Sequence, residues 1–292
     1  MKILVTFLLI SAIVACGNIV SAQSLQIAQS MQTTDQQALP AQFNVTFPKD
    51  KRASFLINIG ASYDIPVDWQ LSTFAVSAEY HRNSLTDSAQ NNFQFGVDYT
   101  KRIVNYDHQR FMLFLIADPK YSWDGIEKIN SAESNFLLTP KFRAFGKVNI
   151  GKPSYLDSNA HTFYFSFYAG TQVQQVFASD TTSLKGFILR PLAKGLLSYA
   201  WNRYKDGSTD FDKTSPLIKI HVNYDVRRTV VNSTTNGERF SHLLNAGVNY
   251  FLPIKGPKVS FGVSFVEGSD YFSGLKSQQY FLASLNLAVG GN

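Results

Sequence analysis

The feature that most narrows what this chain can fold into is the segment 161–178, HTFYFSFYAGTQVQQVFA, whose residues alternate in chemistry along its length. Phe163, Phe165, Phe167, Ala169, Thr171 and Val173 form one set, and Tyr164, Ser166, Tyr168, Gly170, Gln172 and Gln174 the other. Side chains of a β-strand point to opposite faces with period two, so this stretch has a greasy side and a side of hydroxyls and amides. In a soluble sandwich the greasy side is the core. In a transmembrane barrel the pattern is inverted, with aromatics in lipid and the polar set in the lumen.

The same alternation recurs along the chain. Phe43, Val45 and Phe47 open it; Phe55, Ile57, Ile59, Ala61 and Tyr63 follow, opposed by Asn58, Gly60 and Ser62. Phe74, Val76, Ala78 and Tyr80 oppose Ser77, Glu79 and His81, and Phe93, Phe95, Val97 and Tyr99 oppose Gln94, Gly96, Asp98 and Thr100. Phe136, Leu138 and Phe142 oppose Asn135, Thr139, Lys141 and Arg143, and Ile218, Ile220, Val222, Tyr224 and Val226 oppose Lys219, His221, Asn223, Asp225 and Arg227. Residues 185–204 are interrupted by Gly and Pro and read most clearly at Leu197, Tyr199 and Trp201. Further strands are expected at 238–252, at 258–267 and around Phe281 to Val289. Strands of this length separated by turn-rich clusters are an all-β signature. A sandwich of this size would need strands covered on both faces, and only 110–121 reads as apolar on both, with Met112, Phe114 and Ile116 where polar groups should be. Every other strand keeps one wet side, which suits a single closed sheet around a polar interior.

Parity gives an independent check, because outer-membrane barrels have an even strand number, short periplasmic turns and longer outer loops. Taking the short connections 65–69, 105–109 and 253–257 as periplasmic gives about twelve strands with both ends on the periplasmic side. Connections 149–160 and 206–215 are long for such turns.

From Phe43 to the end the chain thus resembles bacterial outer-membrane β-barrels as a class. The resemblance implies a single antiparallel up-and-down transmembrane barrel over residues 42–292 and a location in the bacterial outer membrane. Many such proteins finish on an aromatic residue, whereas this chain ends Val289-Gly290-Gly291-Asn292.

The composition agrees. Aromatic residues make up 14% and charged residues 16%, the latter well under the quarter usual for soluble domains. Residues 1–22 read as a signal peptide: Lys2, an apolar run from Ile3 to Ala15, and Val20-Ser21-Ala22 before the cut. The run is shorter than the roughly 20 residues that span a bilayer. Ile13-Val14-Ala15-Cys16-Gly17 also resembles the lipidation motif of bacterial lipoproteins, which leaves Cys16 as an alternative mature end. Cleavage after Ala22 removes the only cysteine, and with it any disulfide, zinc-thiolate or cysteine nucleophile. It also removes Lys2, taking the formal charge from +6 to +5. That excess points to anionic partners, and export argues against nucleic acid. Residues 23–41 are Gln-, Ser- and Thr-rich and are expected to form a flexible tail.

No catalytic set emerges. Barrel lipid hydrolases place His two residues before Ser, and no His-x-Ser occurs. His81 and Ser84, or Ser158 and His161, would have to meet through loop folding. The five histidines, His81, His108, His161, His221 and His242, lack ligand spacing, and Asp206, Asp210 and Asp212 lack the order of a calcium loop. Asp87, Asp180 and Asp270 fall in expected outer loops without an arrangement, and no cofactor is expected. What remains is the lumen, for which Lys141, Arg143, Lys219, His221 and Arg227 are candidate lining residues, with Glu79, Asp98 and Asp225 as counter-charges. Opposed charge rows set a transverse field and select solutes in passive channels; the same charges could instead pair and plug a small barrel. The leading expectation is a passive channel for small polar or anionic solutes. The alternatives are a barrel enzyme acting on envelope lipid and a non-conducting structural or adhesion barrel.

Overall fold

The computed structural model describes residues 25–30, 39–48, 54–68, 72–83, 90–106, 111–126, 128–144, 146–178, 185–205, 208–234, 239–253, 258–270 and 275–288. These form strands β1 Leu25–Ser30, β2 Leu39–Pro48, β3 Ser54–Asp68, β4 Ser72–Asn83, β5 Gln90–Tyr106, β6 Phe111–Ala117, β7 Lys120–Asp124, β8 Ile129–Arg143, β9 Asn149–Ile150, β10 Ser154–Leu156, β11 His161–Ala178, β12 Gly186–Tyr204, β13 Phe211–Arg228, β14 Val231–Asn232, β15 Phe240–Phe251, β16 Lys258–Asp270 and β17 Leu275–Ala288. The signal segment 1–22, with Cys16, lies outside the described residues, as do Ser84, Asp87, His108, Asp180 and Asp206.

The strand pairings return to their starting point. From β2 the antiparallel ladder runs through β3, β4 and β5 to β6 and β7, then to β8. It passes from β8 to β11, β12, β13, β15, β16 and β17, and β17 pairs back onto β2. Strands β6 and β7 occupy one position in the wall, so the circuit has twelve places, the even number read from the sequence. Strand β2 enters and β17 leaves at the same end, where β3, β5, β8, β12 and β15 also finish and where residues 146–160 lie.

Pro119 explains why one wall strand is split. It has no N–H to donate, and it faces β5, so the ladder to β5 lacks a bond there. The wall closes by substitution: the Asn135 backbone N–H and side-chain amide both donate to the Asp118 carboxylate, and the Asp118 N–H donates to the Asn135 carbonyl at 3.2 Å. On the other side the Pro119 carbonyl accepts from Val97 N–H at 3.0 Å.

Four expectations about element bounds need correction. Residues 25–30, assigned to the tail, form β1: β3 runs past the region covered by β2, and Leu25 to Ala28 pair with the exposed edge from Tyr63 to Gly60. A sheet edge left without partners is costly where water is scarce, which outweighs the weak periodicity of the segment. Residues 65–68 continue β3 rather than turning, pairing with β4 through Asp68. Strand β13 begins at Phe211, inside the stretch read as a connection, and irregular register against Asn202 and Tyr204 absorbs its polar residues. The long connection 149–160 is not an open loop, since β9 pairs with β8 and β10 with β11.

Candidate functional site: the barrel interior

The two faces of the wall are inverted relative to a soluble protein. In β5, Asn92 and Gln94 are buried while Phe93 and Phe95 are exposed; in β8, Glu133, Asn135 and Thr139 are buried while Phe136 and Leu138 are exposed. In β11, Ser166 and Gln172 are buried beside exposed Phe167, and in β12, Arg190 and Asn202 are buried beside exposed Leu197, Tyr199 and Trp201. On β16 and β17, Ser260, Ser264 and Ser284 are buried while Phe261, Val263 and Phe281 are exposed. A large outward apolar surface around a polar interior is stable only where the outer solvent is hydrocarbon, and a closed antiparallel circuit leaves no backbone edge unsatisfied there. This is a membrane-spanning β-barrel. Its even strand number and its two ends on one side are the architecture of bacterial outer-membrane barrels.

Within the barrel several of the inward charges are gathered into two nests on the wall. The first sits on β4 and β7. Glu79 accepts from Lys120 Nζ at 3.2 Å through Oε1 and lies 2.9 Å from His81 Nε2 through Oε2, so both carboxylate oxygens are engaged. Lys120 and Glu79 are only 3% and 2% exposed. Strand β5 lies between them, and Lys120 crosses it because its pairing partner is Gly96. A Cβ at Gly96 would meet Lys120 Cγ and the Pro119 carbonyl, so the bridge depends on that missing side chain. Asp98 hydrogen-bonds Ser77 in the same field, near Lys120 and Asp118.

The second nest sits on β12 and β13. Asp225 accepts from Arg227 Nη2 at 2.8 Å and from Lys194 Nζ at 3.4 Å; Lys194 is its direct cross-strand partner. Close by in sequence, Arg190 Nη1 donates to Gln172 at 3.2 Å and to Gln174 at 3.0 Å. Between the nests the inner wall carries an apolar cluster, with Ile116, Leu137, Tyr168 and Leu192 packed together and Leu196 against them.

The residues selected from the sequence therefore do not form one facing ladder. Glu79 belongs to the first nest with Asp98 close by, and Asp225 and Arg227 belong to the second. His221 is half-buried, its Nδ1 lying 3.4 Å from Asn249 Nδ2, and Lys219 is half-buried two residues away. Lys141 stands over the Phe114 ring at 4.6 Å, a cation–π contact. Arg143 is exposed at the end that carries both barrel termini, donating from Nε to the Gly146 carbonyl at 2.7 Å.

Sequence reasoning missed Asp118, Lys120, Arg190 and Lys194. Arg190 and Lys194 were within reach: they share parity with Ser198 and Asn202, opposite Leu197, Tyr199 and Trp201. Asp118 and Lys120 were obscured because the same strand puts Phe114 and Ile116 inward and breaks at Pro119.

The loop-assembled histidine reading fares differently. His161 stacks on Tyr199, with Nδ1 2.7 Å from the Tyr199 hydroxyl and Nε2 3.9 Å from Asp157. Its ring is thus occupied at the exposed aromatic rim with Trp201, while Ser158 sits in a left-handed turn with φ 53°. Among the described residues no group of three or more His, Cys, Asp or Glu is placed to hold a metal ion.

No family model and no curated protein matches the chain. Among solved structures it is similar to the NanC porin, with a TM-score of 0.44 and 7% identity over 85% of this chain and 98% of that one. It is also similar to LpxR from Salmonella typhimurium, at 0.41 and 10% over 91% and 99% of the two chains. A third is the translocator domain of the autotransporter NalP from Neisseria meningitidis, at 0.38 and 10% over 100% and 95%. These likenesses carry no information about substrate.

Proposed function

We propose that the protein is a bacterial outer-membrane barrel whose interior is closed to free diffusion, a non-conducting scaffold rather than an open pore. The observation behind this reading is the burial of inward charges against one another, with Glu79, Lys120 and Arg227 shut away from water. Eight-stranded barrels are filled by their side chains and sixteen-stranded ones hold an aqueous channel. A barrel of about twelve strands lies between, so the state of its inner charges discriminates. Groups lining an open pore are hydrated, whereas charges withdrawn from water need partners, and these have them.

The test is planar-bilayer recording on the folded, heat-modifiable protein. The closed reading expects a silent membrane; regular unitary steps would overturn it. A passive channel for small anionic solutes remains the second reading, favoured by Lys141, Arg143, Lys147 and Lys152 at the end that carries both barrel termini. Under that reading the steps are anion-selective, and Arg143→Gln lowers the selectivity.

A further inference from the structure

The long connection 144–160 rebuilds the wall where two neighbouring strands part. Strand β11 pairs with β8 only from Ala169 onward, where Ala169 meets Leu138. Toward the end that carries the termini the two strands part. Phe142 and Arg143 of β8 pair instead with β9, and His161 to Phe163 of β11 pair with β10. The connection fills the split as a wedge. At its apex Gly151 donates its N–H to the Phe165 carbonyl at 2.7 Å, while on the other side a Cβ would meet the Pro140 carbonyl and Lys141. With φ at +70° the site is fit for glycine on both counts. The base is fastened too: Asn149 N–H donates to Ser154 Oγ at 2.7 Å, and its side-chain amide to the Pro153 carbonyl at 3.0 Å. Asn202 donates to the Asn159 carbonyl from its side chain at 2.7 Å and to the Ala160 carbonyl from its backbone at 2.8 Å.

This fixed frame lines a cavity of about 360 Å³ with Arg143, Lys147, Asn149, Lys152, Pro153 and Tyr155. Among the described residues no acidic side chain lines it. Among the described residues Lys147 and Lys152 have no carboxylate partner, in contrast to Lys120 and Lys194 in the barrel. Arg143 spends Nε on the Gly146 carbonyl, which holds the guanidinium in place and leaves its terminal nitrogens for another acceptor. Partial burial depresses the Lys152 ammonium below its ordinary range, a cost that an anion in the cavity offsets.

We propose that this wedge cavity binds a phosphate-type anion, held by Arg143, Lys147 and Lys152. One guanidinium and two ammonium groups on a pre-ordered frame suit phosphate oxygens, for which Arg supplies a fork and Lys a point charge. The space is ample for a phosphoryl group, since a water molecule takes only about 30 Å³. The same chemistry is offered by free phosphate and by the headgroup of an anionic phospholipid in the leaflet at this end. The inference does not depend on whether the barrel conducts.

The test uses the full chain in nanodiscs of phosphatidylcholine mixed with phosphatidylglycerol, with co-purified lipid counted by native mass spectrometry, and a parallel titration with inorganic phosphate followed by phosphorus NMR line broadening. Retention of phosphatidylglycerol alone assigns a lipid headgroup; broadening by inorganic phosphate assigns a soluble anion; either supports the site. Lys147→Gln with Lys152→Gln should weaken binding about tenfold per cation removed, the worth of a charge-assisted hydrogen bond. Lys147→Arg with Lys152→Arg should restore it in a barrel that keeps its heat-modifiable mobility. Neither probe binding, or binding unchanged in the glutamine pair, overturns the proposal. Because it reads bound anion and not current, the result is separate from the conductance test of the closed barrel.

Discussion

Replacing Lys120 with Met removes the cation that bridges β7 to β4 while keeping an unbranched chain over Gly96. The Lys120–Glu79 pair is 3.2 Å apart, and both side chains are buried. At that separation the attraction is about 5 kcal/mol for an effective dielectric near 20, against which stands the cost of withdrawing both charges from water. Removing one partner of a buried pair costs about 3–5 kcal/mol, because the other charge is stranded. Glu79 keeps His81 at 2.9 Å, so Lys120→Met should fall near the lower end, about 3 kcal/mol. Glu79→Gln should cost a similar amount by stranding Lys120. The double variant has no stranded charge, so its cost should be smaller than the sum of the singles by about 2–3 kcal/mol. The assay is reversible urea unfolding of the barrel refolded into thin-bilayer vesicles, followed by tryptophan fluorescence. Single variants each within about 1 kcal/mol of the parent and additive within about 0.5 kcal/mol would refute the bridge.

Other perturbations probe the wall, its repair and its outer face. Val263→Arg places a charge on the outward face of β16, where Val263 is 60% exposed; in lipid it should cost about 2–4 kcal/mol in the same unfolding assay, whereas a comparable change on a water-facing surface stays within about 0.5 kcal/mol. Asp118→Ala leaves the buried Asn135 N–H without its acceptor, an expected loss of about 1–3 kcal/mol, with faster amide exchange at Asn135 than at Leu138. Gly151→Ala meets both the positive φ and the Pro140 carbonyl; it should cost about 1–3 kcal/mol and speed exchange at the wedge amides while leaving the distant ladder of β15 and β16 slow.

The barrel was legible because its signal is periodic and repeated. One strand such as β11 leaves the sandwich open, but a set of strands that, apart from 110–121, keep one wet side apiece does not fill a sandwich core. Strand parity was legible for the same reason, since the polar set of each strand fixes which residues share the interior. The long connection stood out as an anomaly, yet its role did not, because the parting of β8 and β11 is a matter of register between strands and leaves no mark in either one. Strand β1 was hidden similarly: Leu25 to Ala28 are ordered by an unpaired stretch of β3, not by their own alternation. The interior was only half readable. Alternation tells that Glu79 and Arg227 face inward, but the partners that engage them depend on neighbours across the sheet, including a glycine at Gly96 that lets a lysine reach two strands away. Asp118 and Lys120 were lost because Pro119 interrupts the strand whose period would have exposed them.

The central claim, an outer face in lipid and an interior withdrawn from water, is tested most directly by labelling single cysteines on adjacent residues of one strand. Cys16 is the only cysteine in the chain, so Cys16→Ser gives a clean background, and Val263→Cys and Ser264→Cys then sample the exposed outer face and the buried inner face of β16. In nanodiscs, Val263→Cys should resist a water-soluble maleimide and react with a membrane-partitioning one, while Ser264→Cys should resist both until the barrel is unfolded. Rapid reaction of Val263→Cys with the water-soluble reagent would contradict the lipid-facing wall, and rapid reaction of Ser264→Cys with it would contradict the closed interior.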